Sequence, residues 1–132
     1  MSIKTILLTT AYLHLLFGVF LICILVFSVK TIAQSVSAET LLYVRGFADV
    51  VAACNLGIGF LLIISSSIRD FHSSRKVLLC DLVLMICLLI VAVFNTINSD
   101  ILVDAGPPPP FWMVLIANPF LCIYGLLKVK NL

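Results

Sequence analysis

Four long apolar runs, separated by short connectors, constrain the fold of this 132-residue chain more than any other feature. The runs cover about residues 5–29, 41–65, 77–98 and 111–127. Each is close to the roughly 20 residues that an α-helix needs to cross a hydrocarbon core about 30 Å thick. None of them alternates polar and apolar residues as a half-buried strand does. The sequence therefore predicts an all-α protein, a bundle of four transmembrane helices.

The composition also indicates a membrane protein. Hydrophobic residues make up 63% of the chain and charged residues 11%, whereas soluble domains contain roughly 45–50% and 25% of these classes. Because the bilayer interior offers no partners to backbone N–H and C=O groups, spanning segments of this length form helices. The connectors are too short for a second domain, so residues 1–132 are predicted to form a single integral membrane domain.

The positive charges predict the orientation of the helices. Cytosolic loops of membrane proteins are enriched in lysine and arginine. If all four runs cross the membrane, six basic residues fall on one side: Lys4, Arg69, Arg75, Lys76, Lys128 and Lys130. The other side receives only Lys30. Both termini are therefore predicted to be cytosolic, and the net charge of +2 reflects topology, with no basic patch of the kind that binds nucleic acid.

Two opposite charges, Arg45 and Asp49, lie one helical turn apart inside the second run. An isolated charge at the bilayer centre costs about 2.5 kcal/mol or more, and ionisable groups inside membranes are functional candidates by default. We expect the two side chains to pair. Small residues lie on the same face of the second helix as this pair, and small residues mark packed helix faces in membranes. We therefore expect the pair to face the bundle interior and the second helix to be the bundle's centre.

Other polar residues are predicted to lie near this pair. At about 1.5 Å per residue, His14 and Asn118 reach a similar depth to Asp49. In the functional hypothesis Asp49 is an acid or base, Arg45 orients it and holds a substrate oxygen, and His14 shares the proton transfer. The candidate substrate-binding residues are Asn95, Asn118, Trp112 and Asp81.

A purely structural interpretation of the same residues stays open. The charged pair, with Asn95 and Asn118, would then only hold neighbouring helices together, and a lone histidine such as His14 is often a hydrogen-bonded contact between helices. Asp81 lies about one turn inside the predicted cytosolic surface, where it can reach water or sit favourably at the start of a helix.

The cysteines give no sign of a metal site. All five lie within predicted spans, without a CxxC pair or a His/Cys spacing that suits zinc. They are expected to be buried small hydrophobic residues. No metal and no redox or organic cofactor is predicted.

The segments "VRGFADVVAACNLGIGFLLI" and "CDLVLMICLLIVAVFN" carry a resemblance to known families. Over residues 41–127 the chain resembles small four-helix membrane proteins of the DoxX-like and uncharacterised-domain type, through Arg45, Gly46, Asp49 and Asp81. Its layout is also similar to that of sterol-biosynthesis scaffold proteins and of terpenoid isomerases and cyclases of the endoplasmic reticulum. The resemblance implies carboxylates acting inside a helix bundle, although those cyclases are longer and have more spans.

The final residues "KVKNL" match the Lys-x-Lys-x-x pattern and resemble a dilysine retrieval signal. That signal requires a cytosolic C-terminus, which the charge distribution predicts independently. The expected location is the endoplasmic reticulum membrane.

Together these features predict a protein that binds a lipid-soluble biosynthetic intermediate, such as a sterol, terpenoid or polyketide, and isomerises or cyclises it by proton transfer. A non-catalytic accessory or scaffold subunit is the main alternative, and a small dimeric transporter is a third. The expected partners are that lipid-soluble molecule, membrane lipids, and other membrane proteins or a second copy, with no nucleic acid.

Overall fold

The computed structural model describes residues 2–32, 37–97 and 109–129, except for the side chains of residues 25–32, 40, 43–44, 95–96 and 109–111. Within these ranges the chain forms four α-helices: α1 (Ile3–Ile32), α2 (Ala38–Ser65), α3 (Phe71–Ile97) and α4 (Pro109–Lys128). The prediction of an all-α chain with four helices is confirmed, whereas the crossing of a membrane by all four stays a prediction.

The helix α3 begins at Phe71, before the apolar run that predicted it. Asp70 caps this end, because its carboxylate accepts hydrogen bonds from the backbone N–H of Ser73 at 2.8 Å and from the Ser73 hydroxyl. Such a cap satisfies N–H groups that have no partner within the helix. The hydroxyl bond, followed by the backbone bond, lowers the pKa of the Asp70 carboxyl from its usual value.

Three helices contain segments long and apolar enough to cross a membrane: Ile3–Ile24, Arg45–Ser65 and Phe71–Phe94. The apolar segment of α4, Trp112–Lys128, is shorter. The outer surface is apolar as well, with Phe47 74%, Phe120 69% and Leu16 67% exposed. Soluble monomers rarely expose large contiguous apolar patches. Length, composition and surface therefore agree on a membrane protein.

The helix α1 lies at the centre of the bundle, against α2 and α4 and in contact with α3, whereas α2 scarcely touches α3. Two glycines let α1 and α2 approach closely. A Cβ atom added to Gly18 would lie 3.0 Å from the carbonyl oxygen of Ala52, and one added to Gly59 would lie 3.0 Å from that of Ala11. The expectation that α2 forms the centre is therefore wrong, because the small residues of α2 pack against a single neighbour.

Contacts between helices show which ends lie together. The guanidinium of Arg75, at the start of α3, donates a hydrogen bond of 2.7 Å to the backbone oxygen of Leu126, near the end of α4. Gly125 packs against Ile6 of α1, and Leu62 of α2 belongs to the same core cluster as Ile6. The first turns of α1 and α3 and the last turns of α2 and α4 therefore share one end of the bundle. That this end is cytosolic remains a prediction.

The cysteines do not all lie in the core. Cys122 is buried, but four thiols are exposed on the outer surface: Cys23, Cys54, Cys80 and Cys87. The expectation of burial is wrong for these four. A thiol is a small apolar group, so an outer surface that faces lipid accommodates it without a packing partner.

Candidate functional site

Each of the four helices contributes one polar residue to a single buried cluster, which we call the polar layer. Its members are His14 of α1, Asn55 of α2, Asp81 of α3 and Asn118 of α4. Each lies ten or eleven residues from the shared end of the bundle, counted along its own helix. At about 1.5 Å per residue this is a depth of about 15 Å, half the thickness of a hydrocarbon core.

His14 is the centre of the polar layer and is fully buried. Its Nδ1 lies 3.0 Å from Oδ1 of Asn55. The amide of Asn55 is held in this orientation because its Nδ2 donates a 2.9 Å hydrogen bond to the backbone oxygen of Val51. Asn55 therefore offers His14 an acceptor, so Nδ1 carries a hydrogen and donates it.

The other ring nitrogen, Nε2, has two neighbours. Oδ1 of Asp81 lies 3.0 Å away and Nδ2 of Asn118 lies 2.9 Å away. An imidazole nitrogen is either a donor or an acceptor. If Nε2 is unprotonated, it accepts from Asn118 and the carboxyl of Asp81 carries the proton. If Nε2 is protonated, it donates to an ionised Asp81, and the Asn118 amide rotates to present its oxygen.

The surroundings of this pair support both arrangements. The second carboxyl oxygen of Asp81 accepts a hydrogen bond from the buried thiol of Cys122, with 3.4 Å between Sγ and Oδ2, so the carboxyl proton belongs on Oδ1, facing His14. Within the described residues, Oδ1 of Asn118 is buried and has no hydrogen-bond partner. One proton can therefore sit on either side of the 3.0 Å gap between His14 and Asp81, with the amide of Asn118 free to follow it.

A cleft on the side of the bundle leads to Asp81. It has a volume of about 370 Å³ and lies between α2 and α3, the two helices that scarcely touch. Residues from both helices line it: Ile58, Leu61 and Leu62 of α2, and Lys76, Val77, Cys80, Asp81 and Leu84 of α3. Ligand pockets of proteins commonly measure about 300–1,000 Å³. Of the four residues of the polar layer, Asp81 is the one that lines this cleft, and its side chain is 2% exposed.

The predicted pair of Arg45 and Asp49 does not belong to the polar layer. Nε of Arg45 lies 3.9 Å from Oδ2 of Asp49, but the two side chains are 60% and 58% exposed. The expectation that they face the interior is wrong. The face of α2 that packs on α1 contains Ala52, Asn55 and Gly59, and at about 100° per residue Asp49 lies about 100° from the middle of that arc.

The structure brings together only some of the residues predicted for the site. His14, Asn118 and Asp81 meet in the polar layer, and Asp81 is buried there, not close to water as expected. Trp112 packs with the second core cluster, about 9 Å along α4 from Asn118. The side chain of Asn95 lies outside the described residues.

Sequence reasoning missed two members of this site. Asn55 is not among the predicted site residues, because it lies on a different face of the helix from the charged pair. Cys122 was treated as a simple apolar residue. A signal for Asn55 does exist in the sequence, since Asn55 and Gly59 are one turn apart and small or polar residues mark packed faces.

Comparisons with protein-family models, with curated proteins and with solved structures found no match to this chain. The resemblance to DoxX-like families therefore stays a hypothesis. The polar layer and its cleft are the features of the molecule that bear on its function.

Proposed function

We propose that this chain is a protein of the endoplasmic reticulum membrane that isomerises or cyclises a lipid-soluble molecule by proton transfer. The acid is Asp81, paired with His14, and the molecule occupies the cleft between α2 and α3. The observation that carries this proposal is the double role of Asp81, which lines the cleft and lies 3.0 Å from the histidine. The reticulum location is the expectation from the Lys-x-Lys-x-x pattern of the "KVKNL" segment, part of which lies outside the described ranges.

The reaction balances without a cofactor. Asp81 delivers its carboxyl proton to one carbon of a substrate double bond, which leaves a carbocation on the substrate and a carboxylate on the protein. The carboxylate then removes a proton from a neighbouring carbon, so the double bond shifts and Asp81 is restored. In a cyclisation a second double bond attacks the cation before that proton is lost. While the proton is on the substrate, the carboxylate keeps the hydrogen bond from the Cys122 thiol, and the substrate cation beside it supplies the opposite charge.

Two substitutions, Asp81→Asn and Asp49→Asn, test this proposal. In Asp81→Asn the amide can still donate to Nε2 of His14, so the contact between α1 and α3 is kept while the transferable proton is lost. Asp49→Asn is the matched control, because it makes the same chemical change on the exposed outer face. We expect Asp81→Asn to abolish turnover with little change in stability, and Asp49→Asn to retain turnover.

The assay compares lipid extracts from cells that express the wild type or either variant, followed by reconstitution of the purified chain with the compound that differs. Unfolding in detergent is measured in parallel. If Asp81→Asn retains the conversion, or if no lipid differs between the wild type and an empty host, the proposal is wrong. Loss of the conversion together with loss of folding is resolved by Asp81→Glu, which restores an acid and is expected to recover part of the activity.

A second candidate function, an accessory or scaffold subunit, is favoured by the exposed pair of Arg45 and Asp49. Their single 3.9 Å contact leaves most of the five donors of the guanidinium unused, and such groups are costly within a span. A partner protein with polar groups at this level would satisfy them. A Cβ added to Gly57 on the same helix would meet no described atom within 4 Å. Gly57→Cys therefore allows crosslinking in a chain whose four exposed cysteines, Cys23, Cys54, Cys80 and Cys87, are replaced by serine. A discrete adduct that Asp49→Asn abolishes, in a protein without turnover, supports this candidate.

A further inference from the structure

The cleft between α2 and α3 has mostly apolar walls but also contains charged side chains. Lys76 and Asp81 are the two charged residues among those that line it, and the others are Ile58, Leu61, Leu62, Val77, Cys80 and Leu84. Asp81 is already engaged by His14 and Cys122. The cleft therefore contains one cation that remains available and one occupied acid.

Lys76 has no carboxylate partner among the described residues. Asp70, in the segment just before α3, is occupied by Ser73. The neighbouring Arg75 is engaged elsewhere, with Leu126 and with the ring of Phe71 at 5.7 Å. The ammonium of Lys76 is exposed, so it offers a positive charge to whatever enters the cleft.

The position of Lys76 along α3 indicates how a bound molecule would be oriented in the cleft. Lys76 lies in the second turn of the helix, near the end of the bundle, where a cationic side chain reaches the headgroup region of a membrane. Asp81 lies about 7.5 Å deeper and Leu84 about 12 Å deeper along the helix. A molecule that spans the cleft thus meets a cation first and apolar walls afterwards.

From this arrangement we infer that the cleft binds a single-chain amphiphile with an anionic head group. The head group pairs with Lys76, and the apolar chain runs between α2 and α3 past Asp81. This inference rests on the proposed function for the role of the ligand as substrate, and it narrows the substrate class. The reacting atoms of such a substrate lie on the order of 7.5 Å from the head group.

Photoaffinity labelling in phosphatidylcholine nanodiscs tests this inference. The probes are a long-chain fatty acid with a diazirine on its chain, an alkyl phosphate with the same chain, and the methyl ester of the fatty acid. We expect the anionic probes to label residues 58–62 and 77–84, as mapped by mass spectrometry of peptides. The ratio of the two anionic yields identifies a carboxylate or a phosphate head group.

Three variants sharpen the experiment. Lys76→Gln is expected to lower labelling of the cleft about fivefold, the factor that one lysine supplies at an anionic surface. Lys4→Gln, an exposed lysine at the same end of the bundle but outside the cleft, is the matched control and is expected to leave labelling unchanged. Leu61→Trp is expected to reduce labelling by filling the cleft.

Two results would overturn the inference. One is equal labelling of the cleft by the neutral ester, and the other is labelling spread evenly over outer residues such as Leu16 and Phe120. The experiments can also refute the inference without the proposed function, or the proposed function without the inference. Cleft labelling in a protein without turnover removes the catalytic role but keeps the binding site. Turnover that persists while the anionic probes do not label the cleft removes the anionic head group but keeps the catalytic role.

Discussion

Replacing His14 by phenylalanine removes the centre of the polar layer while filling nearly the same space. Three hydrogen bonds are lost, to Asn55, Asp81 and Asn118, with lengths of 2.9 to 3.0 Å. At an average of about 0.6 kcal/mol for a bond within a membrane protein, they amount to about 2 kcal/mol. The carboxyl of Asp81 is also left without this partner, and an unsatisfied buried polar group costs about a further 1–3 kcal/mol. We expect the free energy of unfolding to fall by about 3–5 kcal/mol.

A double-mutant cycle gives this prediction its sharpest form. Asp81→Leu removes the other partner and is expected to cost about 2 kcal/mol, whereas the double variant should cost about 2 kcal/mol less than the sum of the single variants. Unfolding is measured by titration with SDS in mixed micelles, through the fluorescence of Trp112, the one tryptophan of the chain. Tyr12→Phe on the outer face of α1 is the control. Additive effects within about 0.5 kcal/mol would refute the coupling of His14 and Asp81.

Three further predictions concern the framework around the site. Gly59→Ala is expected to lower the free energy of unfolding by about 1–3 kcal/mol, whereas Gly57→Ala, with no neighbour within 4 Å, leaves it unchanged or raises it by up to about 1 kcal/mol; equal effects in the SDS titration contradict the packing of α2 on α1. Because folding lowers the pKa of Asp70, its capping contribution is present above the pKa of the unfolded chain and is lost as the pH falls through the lowered value. Amide-exchange protection of the first turn of α3 should fall over that acidic window in the wild type and not in Asp70→Asn, and protection that is independent of pH in both speaks against the cap. Arg75→Lys should cost about 1 kcal/mol through the lost bond to α4, while Arg69→Lys changes nothing; a similar loss in both would mean that this bond contributes no stability.

The helices were predictable because each spanning segment is a long apolar run. The inward faces of α1 and α4 were predictable in part, since polar residues mark packed faces. His14 of α1 and Asn118 of α4, which were predicted to reach a similar depth, are both buried. Within a single helix, the 3.6-residue period tells which residues lie on the same face, and this needs only neighbouring positions in the sequence.

The pairing of residues between helices was not predictable in the same way. Depths were counted from the edges of the apolar runs, which places Asp81 close to the surface. The cap at Asp70 starts α3 at Phe71 instead, and this shift of six positions, about 9 Å, lowers Asp81 to the level of His14. A pattern of apolar residues does not detect a helix whose first turn is polar. The predicted depth of Asp81 depends on where α3 begins, and helix boundaries are the least reliable part of a sequence-based assignment.

The orientation of α2 failed for a different physical reason. The charged pair of Arg45 and Asp49 was given more weight than the small residues, on the premise that charges avoid lipid. Packing against α1 instead follows Ala52, Asn55 and Gly59, which allow two backbones to approach. Close contact over the whole helix outweighs one ion pair that can reach toward the membrane surface.

The net charge of the polar layer during a reaction cycle distinguishes an isomerase or cyclase from a transporter that carries protons. In the proposed function His14 and Asp81 share one transferable proton, and the pair is then neutral overall wherever that proton sits. An isomerisation takes the proton and returns one, so the pair carries a net charge only while the substrate beside it carries the opposite charge. A transporter that carries protons across the membrane would leave the pair charged without such a counterion, at a cost of about 2.5 kcal/mol or more. Of the side chains that line the cleft, only Lys76 carries a compensating positive charge, and it lies about 7.5 Å away along α3. This balance favours chemistry that is neutral in protons over net proton transport.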